Sequence, residues 1–465
     1  FFALFLTTPA PENPLQLCEF CHLSPPVMDE VPLRDPQELD STGCLPDGAA
    51  LGQPQGETLW DLVRNVTPQL FKLGGPISFS YSLQVGMGLV NVIPMGWLGT
   101  KELDGASLGQ MIVNVTALSV VFGLLQAMET LAPQAYGAGN YYRVGHITQR
   151  SLLVSALACI PIVVLWCNIK PVLLALGQDP EVADHASTWL RCWCVGLYPY
   201  FVFTVCKNYL QAQGVVLPIT GILTCMVAID AVATYVLIWP LGFGYIGSCL
   251  ARVLTNVLLA GLSLAYICSA SVLPWHPHPK ALKCWGGFSC EAFRGWGEYL
   301  RLGLPSTAAL CMEWWAAEVI IIQAGILGVT ELAGSTIAVQ AYYILFMLPY
   351  GVGIGASTLV GQALGAADPS RAVGVAKVAG VIMGAMSMGL SIVPVAVRRL
   401  WAQAYTDDME VASLVEGMMV IVAAILLFDS LQAVTSGILH GAGLQAWTAI
   451  ANFVAQWLVG VPLGS

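Results

Sequence analysis

The chain has 465 residues, 57% of them hydrophobic and only 10% charged, where soluble domains carry about 25%. That balance, with a mean hydropathy of +0.72, is that of a polytopic membrane protein and excludes an ordinary soluble domain. A formal net charge of −10 without any basic cluster excludes a nucleic-acid binder.

In chain order, residues 1–67 come first: acidic, rich in proline and poor in long apolar runs. They read as a polar cytosolic tail without packed structure. Its opening run, Phe1 to Leu6, is too short to span a bilayer. Cys18-Glu19-Phe20-Cys21-His22 has the C-x-x-C-H form of haem attachment, but no apolar helices surround it to bury a haem. No cofactor is implied. Apolar runs of about 20 residues, enough to cross a membrane as a helix, follow at 73–98, 106–132, 150–170, 187–212, 216–239 and 244–270. A polar linker, 273–297, separates them from runs at 300–327, 333–361, 372–397, 412–440 and 446–465. His276, His278, Cys284 and Cys290 fall in or beside this linker with a spacing that fits no standard zinc pattern. The 14 cysteines are scattered through apolar segments, which suits buried thiols and no metal site.

The expected fold is therefore an all-α polytopic membrane protein of two pseudo-symmetric six-helix bundles, residues 68–272 and 298–465. Eleven spans are present, and a twelfth is expected beyond the end of this chain. Arg143, Arg150, Lys280, Lys283, Arg294, Arg371 and Lys377 cluster in or beside alternate loops, so the positive-inside rule puts the tail and linker in the cytosol.

The two halves repeat one another. Leu98-Gly99-Thr100-Lys101-Glu102-Leu103 returns as Leu327-Gly328-Val329-Thr330-Glu331-Leu332, 229 residues later. Thr130-Leu131-Ala132-Pro133-Gln134-Ala135-Tyr136-Gly137-Ala138 returns 228 residues later as Thr358-Leu359-Val360-Gly361-Gln362-Ala363-Leu364-Gly365-Ala366. Pro76 and Leu210 to Gly214 match Pro305 and Leu439 to Gly443 at the same spacing. Duplicated apolar units with an even number of spans describe two parallel lobes flanking a central path, the plan of a secondary transporter.

Mid-span carboxylates are the sharpest chemical signal, because each costs roughly 2.5–3.5 kcal/mol to place at the bilayer centre. Glu313 and Glu318 lie in Leu310-Cys311-Met312-Glu313-Trp314-Trp315-Ala316-Ala317-Glu318, and Asp429 in Leu427-Phe428-Asp429-Ser430, with no Lys or Arg within a turn. Carboxyl groups so placed are suited to exchanging protons. Five residues of helix put Glu318 about 140° from Glu313, so the two are expected to face different neighbours. The repeat aligns Glu313 with Gln84 and Asp429 with Tyr200, making these acids private to the second lobe. In the first lobe Asp230 with Arg252 reads as a structural ion bridge or, alternatively, a separate ion site, and Glu129 as a structural group near Arg143 and Arg150. Trp314, Trp315, Tyr342 and Tyr343 are candidates for an aromatic wall against a flat cation. Gln340, Gln84 and Asn91 are further candidates to line the cavity.

Cys311-Met312-Glu313-Trp314-Trp315 with Glu318, the tract Met128-Glu129-Thr130-Leu131-Ala132-Pro133-Gln134-Ala135-Tyr136-Gly137-Ala138-Gly139, and Ser436-Gly437-Ile438-Leu439-His440-Gly441-Ala442-Gly443 resemble the eukaryotic branch of the multidrug and toxic compound extrusion (MATE) transporters. The resemblance covers about residues 68–465. It implies proton-coupled export of organic cations or secondary metabolites, with Glu313, Glu318 and Asp429 matching the acids that carry coupling. Gln340 stands where animal members carry another glutamate, and Asn91 where bacterial members often place an aspartate. Thr358 and His440 replace common arginines, and Pro133 a glycine.

The expected partners are a small organic solute, cationic by this resemblance, together with protons and membrane lipid, for a monomer in the plasma or vacuolar membrane. A lipid-linked flippase and a sodium-coupled antiporter are the alternatives. The acidic mid-membrane residues count against the first, which needs a cationic cavity for pyrophosphate, and Asn91 against the second. An intramembrane enzyme would need a nucleophile–base pair or metal ligands on facing helices, for which His440 and scattered cysteines are poor support.

Overall fold

The computed structural model describes residues 59–272, 284–285, 287–406, 408–460 and 462. Most of the expected tail, with its Cys18 to His22 pattern, and His276 and His278 of the linker lie outside the described residues. Cys284 is buried and Cys290 exposed.

Where apolar runs were expected, long helices form. In the first lobe they are α1 (Leu59–Val92), α2 (Thr100–Gly137), α3 (Tyr141–Cys167), α4 (Pro180–Ala212), α5 (Leu217–Ile238) and α6 (Tyr245–Val272). The second lobe has α7 (Trp296–Leu327), α8 (Val329–Gly365), α9 (Pro369–Tyr405) and α10 (Met409–Gly441), then α11 (Gln445–Asn452), which continues as a π-wound segment, Phe453–Gly460. Among the described residues, nine helices are long and apolar enough to cross a membrane. Several outrun the spans read from hydropathy: α1 begins at Leu59 rather than 73, and α8 and α9 each run 37 residues. Apolar character marks only the part in lipid, whereas capping decides where a helix starts. Asp179 accepts from the backbone N–H groups of Glu181 and Val182 ahead of Pro180, and Asp368 from that of Arg371 ahead of Pro369.

The lobes meet where α1 packs on α8 and α2 on α7, and the contacts obey the repeat. Ser78 Oγ donates to the Leu348 carbonyl at 2.7 Å; Thr307 Oγ1 donates to that of Val120 at 3.4 Å. Gln134 Nε2 donates to the Gly441 carbonyl at 3.0 Å, and its counterpart Gln362 to that of Ala212 at 2.9 Å. Thr130 Oγ1 donates to the His440 carbonyl at 2.7 Å, while Gln211 Nε2 reaches Thr358 Oγ1 at 3.5 Å. The first two pairs thus repeat donor and acceptor about 229 residues apart, and the third joins matched positions with donor and acceptor exchanged, as a pseudo-twofold axis along the membrane normal allows.

The last two pairs form a lock at the end that carries the Arg143 and Arg371 loops, the cytosolic end by the positive-inside rule. Two glycines permit it. A Cβ on Gly137 would overlap the Gln362 carbonyl oxygen, and one on Gly365 the Gln134 carbonyl oxygen. Gly137→Ala and Gly365→Ala should therefore each cost about 1–3 kcal/mol through overpacking. A lower thermal unfolding midpoint of purified protein is the expected readout. Gly221→Ala, whose Cβ meets nothing, should leave the midpoint unchanged.

Candidate functional site

Glu313 and Asp429 come together in the second lobe from α7 and α10, which places their carboxyl groups within electrostatic reach of each other. Asn452 Nδ2 donates to Glu313 Oε2 at 3.1 Å, and Tyr342 OH to Asp429 Oδ2 at 2.8 Å. The Tyr342 ring stacks on Phe346 with centroids 5.3 Å apart and planes 15° apart, which fixes the hydroxyl. Both acids are half-buried, and among the described residues neither forms an ion pair with a basic side chain. Their counterparts in the first lobe also touch: Tyr200 OH donates to Gln84 Oε1 at 3.4 Å. The repeat therefore places acidic side chains in the second lobe at the positions that are neutral in the first.

Glu318 faces elsewhere, as its 140° offset requires: it is directed toward Asn114 of α2. One turn earlier, Trp315 Nε1 donates to the Val115 carbonyl at 3.1 Å. Asn114 and Val115 open a π-wound segment, Asn114–Leu118, inside α2. Trp314 meets Phe122 edge-on at 6.3 Å. Both tryptophans thus face the first lobe, whereas Tyr342 and Tyr343 pair with each other on α8, 5.6 Å apart. Gln340 is half-buried on α8.

The Asp230–Arg252 bridge does not form: no ion pair joins them among the described residues. Asp230 is fully buried and is held by neutral donors, Asn91 Nδ2 on Oδ2 and Thr255 Oγ1 on Oδ1, both at 2.7 Å. Ser248 Oγ caps the Asn91 carbonyl at 2.8 Å. Asn91, 6% exposed, is thus a partner of Asp230 rather than a group lining open space. Arg143 and Arg150 are not the partners of Glu129 either. Arg143 pairs with Glu298 at 2.7 Å, while Glu129 accepts from Asn208 Nδ2 at 3.2 Å. Beside Asn208, buried Lys207 donates to Tyr81 OH at 2.9 Å. Sequence reasoning passed over Lys207, although a lone lysine inside an apolar span was the signal for it. Asn452 escaped for lack of any local signal.

Comparison with known proteins bears on the whole arrangement. The MatE family profile matches twice, over residues 76–236 and 305–465, with the 229-residue offset of the internal repeat. The chain belongs to the MatE family. It is 35% identical to human multidrug and toxin extrusion protein 1 over 397 residues, 85% of this chain and 68% of that protein. It is 32% identical to an uncharacterised transporter of Schizosaccharomyces pombe over 85% of this chain and 72% of the other. The crystal structure of the eukaryotic MATE transporter AtDTX14 superimposes with a TM-score of 0.80 at 29% identity, covering 86% of this chain and 88% of that one. A Vibrio cholerae MATE transporter, VcmN, shares the fold at a TM-score of 0.75 and 15% identity. This MatE chain is accordingly an integral, multi-pass membrane transporter of the multidrug and toxin extrusion kind, with the family's two-lobe bundle.

Because Asp230 and Arg252 do not pair, their substitutions should act independently. Asp230→Ala strands the Asn91 and Thr255 donors and should cost about 1–3 kcal/mol, whereas in a double-mutant cycle with Arg252→Met the coupling should stay within about 0.5 kcal/mol. Unfolding midpoints of the two single variants and the double variant check this.

Proposed function

We propose that this MatE-family transporter exports small organic cations in exchange for protons, with Glu313 and Asp429 as the shared site. The observation that carries the reading is a pair of half-buried carboxyl groups in one lobe, near enough for their charges to interact and without a basic ion-pair partner among the described residues. Two such groups hold together most easily when a proton or a cation lies between them. Protons and an organic cation therefore compete for one site, which is the requirement for obligatory exchange.

The remaining groups fit supporting roles. Tyr342 orients Asp429 through its hydroxyl and presents its ring, with Tyr343, to a flat cation. Glu318, on Asn114, ties α7 to the first lobe and so joins the site to the inter-lobe surface. In this reading the Gln134 and Gln362 contacts close the cytosolic end, and the site exchanges with the opposite side while they hold. Protons arriving there displace the solute. Opening of the lock then lets the protons leave and cytosolic solute rebind. The same cycle serves a plasma membrane or a vacuolar membrane, because the outer face and the vacuolar lumen are topologically equivalent.

Proteoliposomes with an imposed pH gradient and tetraethylammonium as the probe test this. Uphill cation movement should appear with the gradient and collapse when it is dissipated. Glu313→Gln and Asp429→Asn should each abolish it while leaving the unfolding midpoint within a few degrees. Tyr342→Phe should lose about 0.5–1.5 kcal/mol of orientation, roughly a two- to tenfold slower exchange. Full exchange by Asp429→Asn would remove that residue from the mechanism.

A further inference from the structure

Asn452 sits where three helices meet, and both ends of its amide are in use. It is the last α-helical residue of α11, and π winding begins at the next residue. Such segments are rare and concentrate at functional sites. Its side chain is 6% exposed. Nδ2 donates to Glu313 Oε2 at 3.1 Å and to the Ala309 carbonyl at 3.4 Å, both on α7. Oδ1 accepts from Gln432 Nε2 of α10 at 3.3 Å. The Ala309 carbonyl can only accept, so the amide nitrogen must face α7 and the oxygen must face Gln432. Gln432 lies three residues beyond Asp429, on the same side of α10. One amide thus spans the two helices that carry the carboxyl groups. A second bond holds the π segment after α11 to α7, from Trp457 Nε1 to the Met312 carbonyl at 3.0 Å. The repeat aligns Asn452 with Leu223 and Gln432 with Phe203, so the connection has no counterpart in the first lobe.

We propose that Asn452 is a positioning residue that ties α11 to the charge on Glu313. A hydrogen bond to an ionised carboxylate is about twice as strong as one to a neutral group. When Glu313 takes up a proton, the bond from Nδ2 weakens, and α11 with its π segment is held to α7 less firmly. When the proton leaves, the amide draws α11 back and, through Gln432, sets the α10 turn that bears Asp429. The eleventh helix therefore moves with the proton cycle instead of serving only as packing. This rests on the proton-exchange reading of the site.

Hydrogen exchange by mass spectrometry tests the link without any transported solute. Glu313→Gln mimics the neutral acid, so it should raise deuterium uptake across residues 445–460 relative to the parent protein. Asn452→Ala should raise it similarly, and the double variant should add nothing further. In proteoliposomes, Asn452→Ala should slow maximal tetraethylammonium exchange about tenfold with half-saturation within about twofold, and Asn452→Gln should recover part of the rate. If Asn452→Ala does not yield folded protein, Gln432→Leu is measured the same way, with about a threefold loss expected. Unchanged uptake over 445–460 in Glu313→Gln, or a loss confined to half-saturation, overturns the proposal. A parent protein that moves no cation would instead overturn the proton-exchange reading, leaving the uptake comparison to decide the link between Glu313 and α11.

Discussion

At the cytosolic end the two lobes touch backbone to backbone, and the rest of the molecule is arranged around that contact. Gly137 lies against the Gln362 carbonyl and Gly365 against the Gln134 carbonyl, so no side chain larger than hydrogen fits at either point. The glutamine amides then reach across to the helix-end carbonyls of the opposite lobe, Gly441 and Ala212. A helix C-terminus always leaves carbonyls without intrahelical partners. Here each lobe supplies donors for the other's loose ends. The closed state combines these polar bonds with apolar packing, in which Val66 and Leu70 of α1 sit against Val360, Val352 and Met383 of the second lobe.

Symmetry ends where charge begins. Gln84 and Tyr200 meet in the first lobe as Glu313 and Asp429 meet in the second, yet only the second pair is acidic. The first lobe uses its buried acid differently. Asp230 is surrounded by Asn91 and Thr255 donors, which offset the cost of burial without a counter-ion. One lobe thus surrounds its buried acid with two neutral donors, while each acid of the other receives a single one, Asn452 on Glu313 and Tyr342 on Asp429. Duplication supplied the frame, and divergence at a handful of positions divided the work.

Two π-wound segments meet α7 from opposite sides. Asn114–Leu118 in α2 receives Glu318 and Trp315, and the segment after Asn452 in α11 receives the Met312 region through Trp457. Widening a helix from i+4 to i+5 bonding displaces side chains around its axis and frees carbonyls. Val115 offers such a carbonyl to the Trp315 indole. Helix α7 is therefore held by side-chain bonds at Trp315 and Met312 to the least regular parts of its neighbours.

The amino-acid sequence by itself determined the membrane-spanning class, the order of the long helices, the duplication and its register, and the acids Glu313, Glu318 and Asp429 as the charges most in need of explanation. These follow from hydropathy, helical period and the cost of charge in lipid, all of which act along the chain. Only the tertiary structure decided partners. It gave Asp230 to Asn91 and Thr255 rather than Arg252, and Glu129 to Asn208 rather than the loop arginines. It also set Trp314 against Phe122 of the first lobe, and brought Asn452 to Glu313 from 139 residues away. A hydrogen-bond partner depends on which helix faces cross, and no periodicity within one helix encodes the rotation of its neighbour.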